Sequence, residues 1–312
     1  MARRSSLRGV TLTELMVALA LAPVLVLAAS TAFLAGKKLF DTDADMQAVH
    51  DSTRFARHVV QSLVRQAGYV DYAPDSPGNG AGAIPSHANL LADSSDPMDL
   101  SVAGASNTIV SGSDFGRNNA DRTGGNDSLM VRFFGHGEVG SRTADGSMID
   151  CMGTKRAGPA DVPSAGDRVL NIFHVKDAGD GEPSLYCTFK FGPGGTQALV
   201  RGVERFKVVY GHDGDGDGVP ETWLDAGAIA AKGAETGSAH HEWRKVVAVR
   251  VGIVVRSPRP NVDPKRVAGE NDRLFPLGPE FKDASFAPPD DGRFRSVATF
   301  TVMLRNVVKD PG

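Results

Sequence analysis

Residues Val10–Leu34 read VTLTELMVALALAPVLVLAASTAFL, and the only ionisable side chain among them is Glu14. A helix rises 1.5 Å per residue, so about 20 apolar residues cross the roughly 30 Å hydrocarbon core of a bilayer. This run of 25 residues is long enough to span one. Arg3, Arg4 and Arg8 precede it, and by the positive-inside rule they keep the N-terminus cytoplasmic and the rest of the chain outside. Lys37 and Lys38 follow, where they can snorkel at the far interface. Three ordinary explanations cover the apolar run: a secretory signal cut near Ala32 in Ser30-Thr31-Ala32, a twin-arginine signal, or a plain signal anchor. None explains Glu14. A carboxylate inside a membrane helix is costly and calls for a functional partner.

The helix continues past the lysines. Leu39, Met46, Val49, Ala56, Val60, Leu63 and Ala67 recur at three-, four- and seven-residue steps, with Asp41, Asp43, Asp45, Arg54, Arg57 and Arg65 on other faces. Gly68 is a stop signal. From Val10 to Ala67 such a helix is about 87 Å long.

The stretch Gly9-Val10-Thr11-Leu12-Thr13-Glu14-Leu15-Met16-Val17-Ala18 resembles the type IV prepilin signature. The resemblance implies that an inner-membrane prepilin peptidase cuts between Gly9 and Val10 and N-methylates Val10. Glu14 is then the fifth residue of the mature chain, where its carboxylate pairs with the N-terminal amine of a neighbouring subunit during assembly. The family usually has Phe where Val10 stands. The implied organisation is a leader (1–9), a transmembrane helix (10–35), its amphipathic continuation (36–68) and a periplasmic or extracellular β-rich head (69–312). The fold class expected is α+β and pilin-like, a long helix packed on an antiparallel sheet with long loops.

Composition agrees with such a head. Hydrophobic residues at 41% suffice for a core, while 36 Gly and 18 Pro indicate many turns and surface loops. Residues 73–127, rich in Gly, Ser, Asp, Asn and Pro, read as a long surface loop. Strands are predicted at Ser128–Phe134, Arg168–Val175, Leu185–Phe191, Leu199–Tyr210, Trp243–Arg256 and Arg295–Leu304. Val247, Val249, Val251, Ile253 and Val255 give one of these an apolar face at period two, and Ala298, Phe300, Val302 and Leu304 do the same for another. Cys151 and Cys187 are the only cysteines and have no metal-ligand spacing; a pair in an exported domain favours a disulfide, with two separate buried thiols as the alternative.

Within the head, Leu199-Val200-Arg201-Gly202-Val203-Glu204, Tyr210-Gly211, Val246-Val247-Ala248-Val249-Arg250-Val251, Arg256-Ser257 and the terminal Phe300-Thr301-Val302-Met303-Leu304-Arg305-Asn306 resemble PilW-type minor pilins. The resemblance implies a role in starting type IV pilus assembly or forming its tip, with other minor and major pilins, the peptidase and the inner-membrane assembly platform as partners. It implies an inner-membrane location with the head in the periplasm, then the pilus surface. A GspJ-like minor pseudopilin of type II secretion and an anchored or secreted calcium-binding adhesion module are the alternatives.

The run Asp213-Gly214-Asp215-Gly216-Asp217-Gly218-Val219-Pro220-Glu221 has the character of a calcium loop. Oxygens alternate at Asp213, Asp215 and Asp217, Gly218 turns the chain, and the Val219 carbonyl and Glu221 carboxylate complete a set of hard ligands suited to Ca²⁺. The acid expected at position twelve is replaced by Leu224, and a solvated acidic hairpin is the competing reading. His240-His241-Glu242 reads as a surface loop, because adjacent side chains point apart and no metalloprotease spacing surrounds them. Gly78-Asn79-Gly80-Ala81-Gly82 lacks the strand–helix frame of a dinucleotide site. No basic run long enough to follow phosphates is present, so nucleic acid is not an expected partner, and no catalytic motif argues for an enzyme.

Overall fold

The computed structural model describes residues 9–70, 97–112, 114–119, 125–138, 143–159, 165–177, 179–190, 194–260 and 273–306. Leader residues 1–8, the Gly78–Gly82 run and much of the predicted 73–127 loop lie outside the described residues.

Helix α1 runs unbroken from Leu12 to Gln66, through Pro23. Thr11 caps it, and Thr11 and Glu14 form a reciprocal capping box that satisfies two otherwise orphaned N–H groups. Residues 9–40 are all exposed. Beyond them Asp45, Val49, Thr53, Ala56, Val60, Leu63 and Val64 are buried at helical spacing, so one face of the second half of the helix meets the head. At its far end Gly68 takes φ 73°, and its N–H donates to the Arg132 carbonyl. A Cβ there would lie 2.5 Å from the Asn306 carbonyl oxygen, so only glycine permits this exit.

The head holds two antiparallel sheets. Strands β1 (Val102–Ala105), β2 (Ser128–Phe133), β3 (Val169–Asp177), β4 (Pro183–Lys190) and β5 (Gly195–Arg201) form a meander in chain order. Strands β6 (Val203–His212), β7 (Thr222–Leu224), β8 (Val246–Arg256) and β9 (Arg295–Met303) form the second sheet, ordered β7-β6-β8-β9. Two short helices, α2 (Ala226–Thr236) and α3 (Ala239–Arg244), connect β7 to β8. One hydrophobic cluster joins Ala56, Val60 and Leu63 of α1 to Val251 and Ile253 of β8 and Phe300 and Val302 of β9. The predicted class, α+β with a long N-terminal helix on an antiparallel head, is therefore the one that forms.

Two ion-pair clusters fasten the layers. Arg259 grips both carboxylate oxygens of Asp45 through Nε at 3.2 Å and donates from Nη2 to Oδ1 at 2.9 Å, tying the chain after β8 to α1. Arg256 and Arg295 share Glu204, and Arg256 also bonds Glu182, joining the end of β8 to β6, β9 and the β3–β4 turn. Cys151 and Cys187 form a disulfide across 36 residues, attaching the loop before β3 to the buried strand β4.

Five predicted strands appear as β2, β3, β4, β8 and β9 with shifted ends. Four expectations need correction. The predicted strand Leu199–Tyr210 is broken at Gly202 (φ 80°), and its halves enter different sheets as β5 and β6; a Cβ on Gly202 would lie 2.8 Å from the Arg256 carbonyl oxygen. The predicted 73–127 loop contains the fully buried edge strand β1. Its small residues hide it from propensity, yet they are required, since a Cβ on Gly104 would lie 2.2 Å from the Ser128 carbonyl oxygen. In β8 the register slips opposite Gly211 and His212, so Val246 takes the core position assigned to Val247. His240-His241-Glu242 is no surface loop, for it lies in α3 with Glu242 wholly buried.

Candidate functional site

The helix start is the first candidate. Gly9 and Val10 are exposed, non-helical residues just before the Thr11 cap. A Cβ on Gly9 would meet nothing within 4 Å. Glu14 Oε2 accepts from the Thr11 backbone N–H at 2.9 Å and from the Thr11 hydroxyl at 2.8 Å. The carboxylate thus has partners within its own chain while remaining fully open to a neighbour. From Leu12 onward the helix is apolar enough to cross a membrane, with a mean hydropathy of 2.3 and none of that window buried against the head.

The acidic loop between β6 and β7 is the second candidate. One carboxylate oxygen each from Asp213, Asp215, Asp217 and Glu221 lies within 4.8 Å of the others. Asp213 is buried and the other three are exposed. Backbone N–H groups order the turn: Gly216 and Gly218 donate to Asp213, Asp217 to Asp215, Val219 to Asp217 and Gly214 to Glu221. Partial desolvation pushes the Asp213 carboxyl up, but the donors at Gly218 and Gly216 outweigh it and hold its pKa below the usual carboxylate range. Val219 adds a backbone position to the same turn, with its side chain exposed. The four oxygens form a hard, anionic donor set whose chemistry fits Ca²⁺.

A buried polar cluster beneath this loop escaped the sequence reading. His212 Nε2 and Glu242 Oε2 lie 2.8 Å apart, both side chains essentially inaccessible, and Lys245 Nζ donates to the second Glu242 oxygen at 3.0 Å. The Lys245 carbonyl accepts from the Asp213 N–H. The cluster therefore fixes the root of the acidic loop to α3. The signal available was Gly237-Ser238: Gly237 ends α2 in the left-handed region and Ser238 caps α3.

A cleft of about 260 Å³ lies where α1 passes β5 and β8, lined by Val49, Ser52, Glu182, Arg201, Arg256 and Pro258 among others. Its arginines are paired, Arg201 with Asp180 and Arg256 with Glu182 and Glu204. Among the described lining residues no nucleophile meets a base.

The family model described as Type IV Pilus-assembly protein W matches residues 172–306, from within β3 to just beyond β9. Among solved structures, the type IV-like pilin TTHA1219 from Thermus thermophilus is similar at 12% identity and a TM-score of 0.38, over 83% of this chain and 97% of that one. None of the curated proteins matches the sequence.

Proposed function

We propose that this chain is a minor pilin that takes part in starting or tipping a type IV pilus, and that its work is assembly rather than catalysis. The observation that carries the reading is α1, a single helix whose first half is apolar and uncovered and whose second half is seated on the head. The match of residues 172–306 to a pilus-assembly family supports it independently, because that span excludes the helix.

On this reading the prepilin peptidase removes residues 1–9, Val10 becomes the N-methylated first residue, and residues 10–35 hold the chain in the inner membrane with the head in the periplasm. The assembly platform then draws the helix into a bundle with other minor and major pilins. Glu14 exchanges its Thr11 partners for the amine of a neighbour, which sets the axial register. Glu14→Ala is expected to leave processing and membrane insertion intact and to impair recovery with partner pilins and incorporation into pili. Unchanged piliation and unchanged pulldown would defeat that role. The N-terminal mass of the mature chain tests the larger reading: N-methyl-Val10 supports it, whereas a start near Phe33 identifies a secreted protein.

The acidic loop carries a separate part of the proposal, a Ca²⁺ ion held by Asp213, Asp215, Asp217, Glu221 and the Val219 carbonyl. Calorimetric titration of the purified chain should show heat with Ca²⁺ that disappears in Asp215→Ala. No heat at millimolar Ca²⁺ removes the site.

A further inference from the structure

Three polar side chains meet between the two sheets of the head. Asn107 follows β1, Asp127 immediately precedes β2, and Lys207 lies in β6. Lys207 Nζ donates to Asn107 Oδ1 at 2.8 Å and to Asp127 Oδ1 at 2.8 Å. The Lys207 and Asp127 side chains are only 10% and 5% exposed, while Asn107 is half-buried. A carbonyl bond is about 1.23 Å long, so the Asn107 amide carbon lies within about 4 Å of Nζ.

Backbone bonds hold the three groups in place. Asp127 Oδ1 also accepts from the Asn107 N–H at 2.9 Å, and its Oδ2 accepts from the Val208 N–H at 2.9 Å. The Asp127 N–H donates to the Phe206 carbonyl, and the Thr108 N–H to the Asn126 carbonyl. Asn107 sits at φ 53°, the one non-glycine residue with positive φ among the described residues. Asparagine is among the few side chains that tolerate this region. An amine, an acceptor for its proton and an amide carbonyl, fixed together away from water, are the parts needed for aminolysis. Burial pushes the Asp127 carboxyl up, against the lowering pull of Lys207. That favours a proton passing from Nζ to Oδ1, which leaves a neutral amine.

We propose that Lys207 and Asn107 become joined by an intramolecular isopeptide bond, with Asp127 as the catalytic residue. Asp127 takes a proton from Nζ, the neutral amine attacks Asn107 Cγ, and the carbonyl π pair moves onto Oδ1. Asp127 then passes its proton to Nδ2 and recovers another from the attacking nitrogen. The oxygen pair re-forms the carbonyl, the Cγ–Nδ2 bond breaks, and its pair leaves with ammonia. One C–N bond forms and one breaks, so no oxidant or co-reactant is needed. The half-buried position of Asn107 gives ammonia a route to solvent. The bond closes the chain across 100 positions and ties one sheet to the other, separately from the disulfide. It does not depend on the reading of the chain as a filament subunit.

Mass spectrometry of the full-length chain, purified in detergent and reduced, tests it. The wild-type mass should fall short of that given by its sequence and observed N-terminus by one ammonia. Digestion should yield a branched peptide joining Asn107 to Lys207, with no tryptic cut after Lys207. Lys207→Arg keeps the charge and Asn107→Gly accepts the positive φ; each should restore the full mass and lose the branched peptide. Asp127→Asn should slow bridging of newly made chain by roughly a hundredfold. The Cys151–Cys187 disulfide, checked before reduction, shows that the head has folded, and where a variant lacks it the wild-type result decides. Full mass in a wild-type chain that carries the disulfide overturns the bond and leaves an ordinary buried ion pair. Loss of ammonia without the branched peptide marks an asparagine cyclised on its own backbone, and overturns it equally. Bridging at an unchanged rate in Asp127→Asn overturns the catalytic role of Asp127.

Discussion

His174 shows what a single buried side chain costs the head as pH falls. It lies in β3, only 4% exposed, stacks on Tyr186, and has its Nε2 3.1 Å from the Thr188 hydroxyl. Desolvation, helped by the nearby Lys176 charge, lowers its pKa to about 4. The unfolded chain takes up this proton near pH 6.5 while the native chain does not. The neutral imidazole thus favours folding above pH 6.5, and the advantage is lost between pH 6.5 and about 4. Chemical denaturation of the full-length chain in detergent should show on the order of 3 kcal/mol less stability at the acid end from this residue alone. His174→Gln should flatten that part of the profile. Little of this was legible beforehand, because a histidine in a strand pattern does not announce whether its ring is covered. Glu14 was the opposite case: the one ionisable side chain in a run of 25 residues is conspicuous whatever surrounds it.

At the level of elements, legibility followed side-chain size and branching. Strands β8 and β9 could be read from alternating Val, Ile and Phe, and α1 from its three- and four-residue steps. Strand β1, VAGA, carries no such signal, since its residues are dictated by the closeness of β2 and Tyr210 rather than by apolar content. The break at Gly202 was hidden for the reverse reason: β-branched residues flank it, and only the positive φ reveals that the chain leaves one sheet for another. The α1 seam yields a direct prediction. Leu63 is 1% exposed in the shared cluster, and Leu63→Ala should destabilise the folded head by about 2–5 kcal/mol in denaturant titration. Leu25, 69% exposed on the same helix, should change that figure little when replaced by Ala.

For the molecule as a whole, the disulfide and the two ends of the helix seam set how the head holds together. Closing 36 residues between Cys151 and Cys187 contributes roughly 3–4 kcal/mol in the chain-entropy model, so the Cys151→Ser, Cys187→Ser double variant should unfold at correspondingly lower denaturant. A residual difference under 1 kcal/mol would show that packing in β4 suffices. The seam has a mechanical side as well. Asp45 is clasped by Arg259 at the N-terminal end of the seam, and the Ala67 carbonyl accepts from Asn306 Nδ2 at its C-terminal end. Tension on an anchored helix, resisted by a held head, runs parallel to this seam. The apolar rungs between the two fastenings are then strained together rather than peeled one after another. A head joined only at one end would unzip under pulling; this one divides the force along its whole attachment and should yield abruptly, at a single high load.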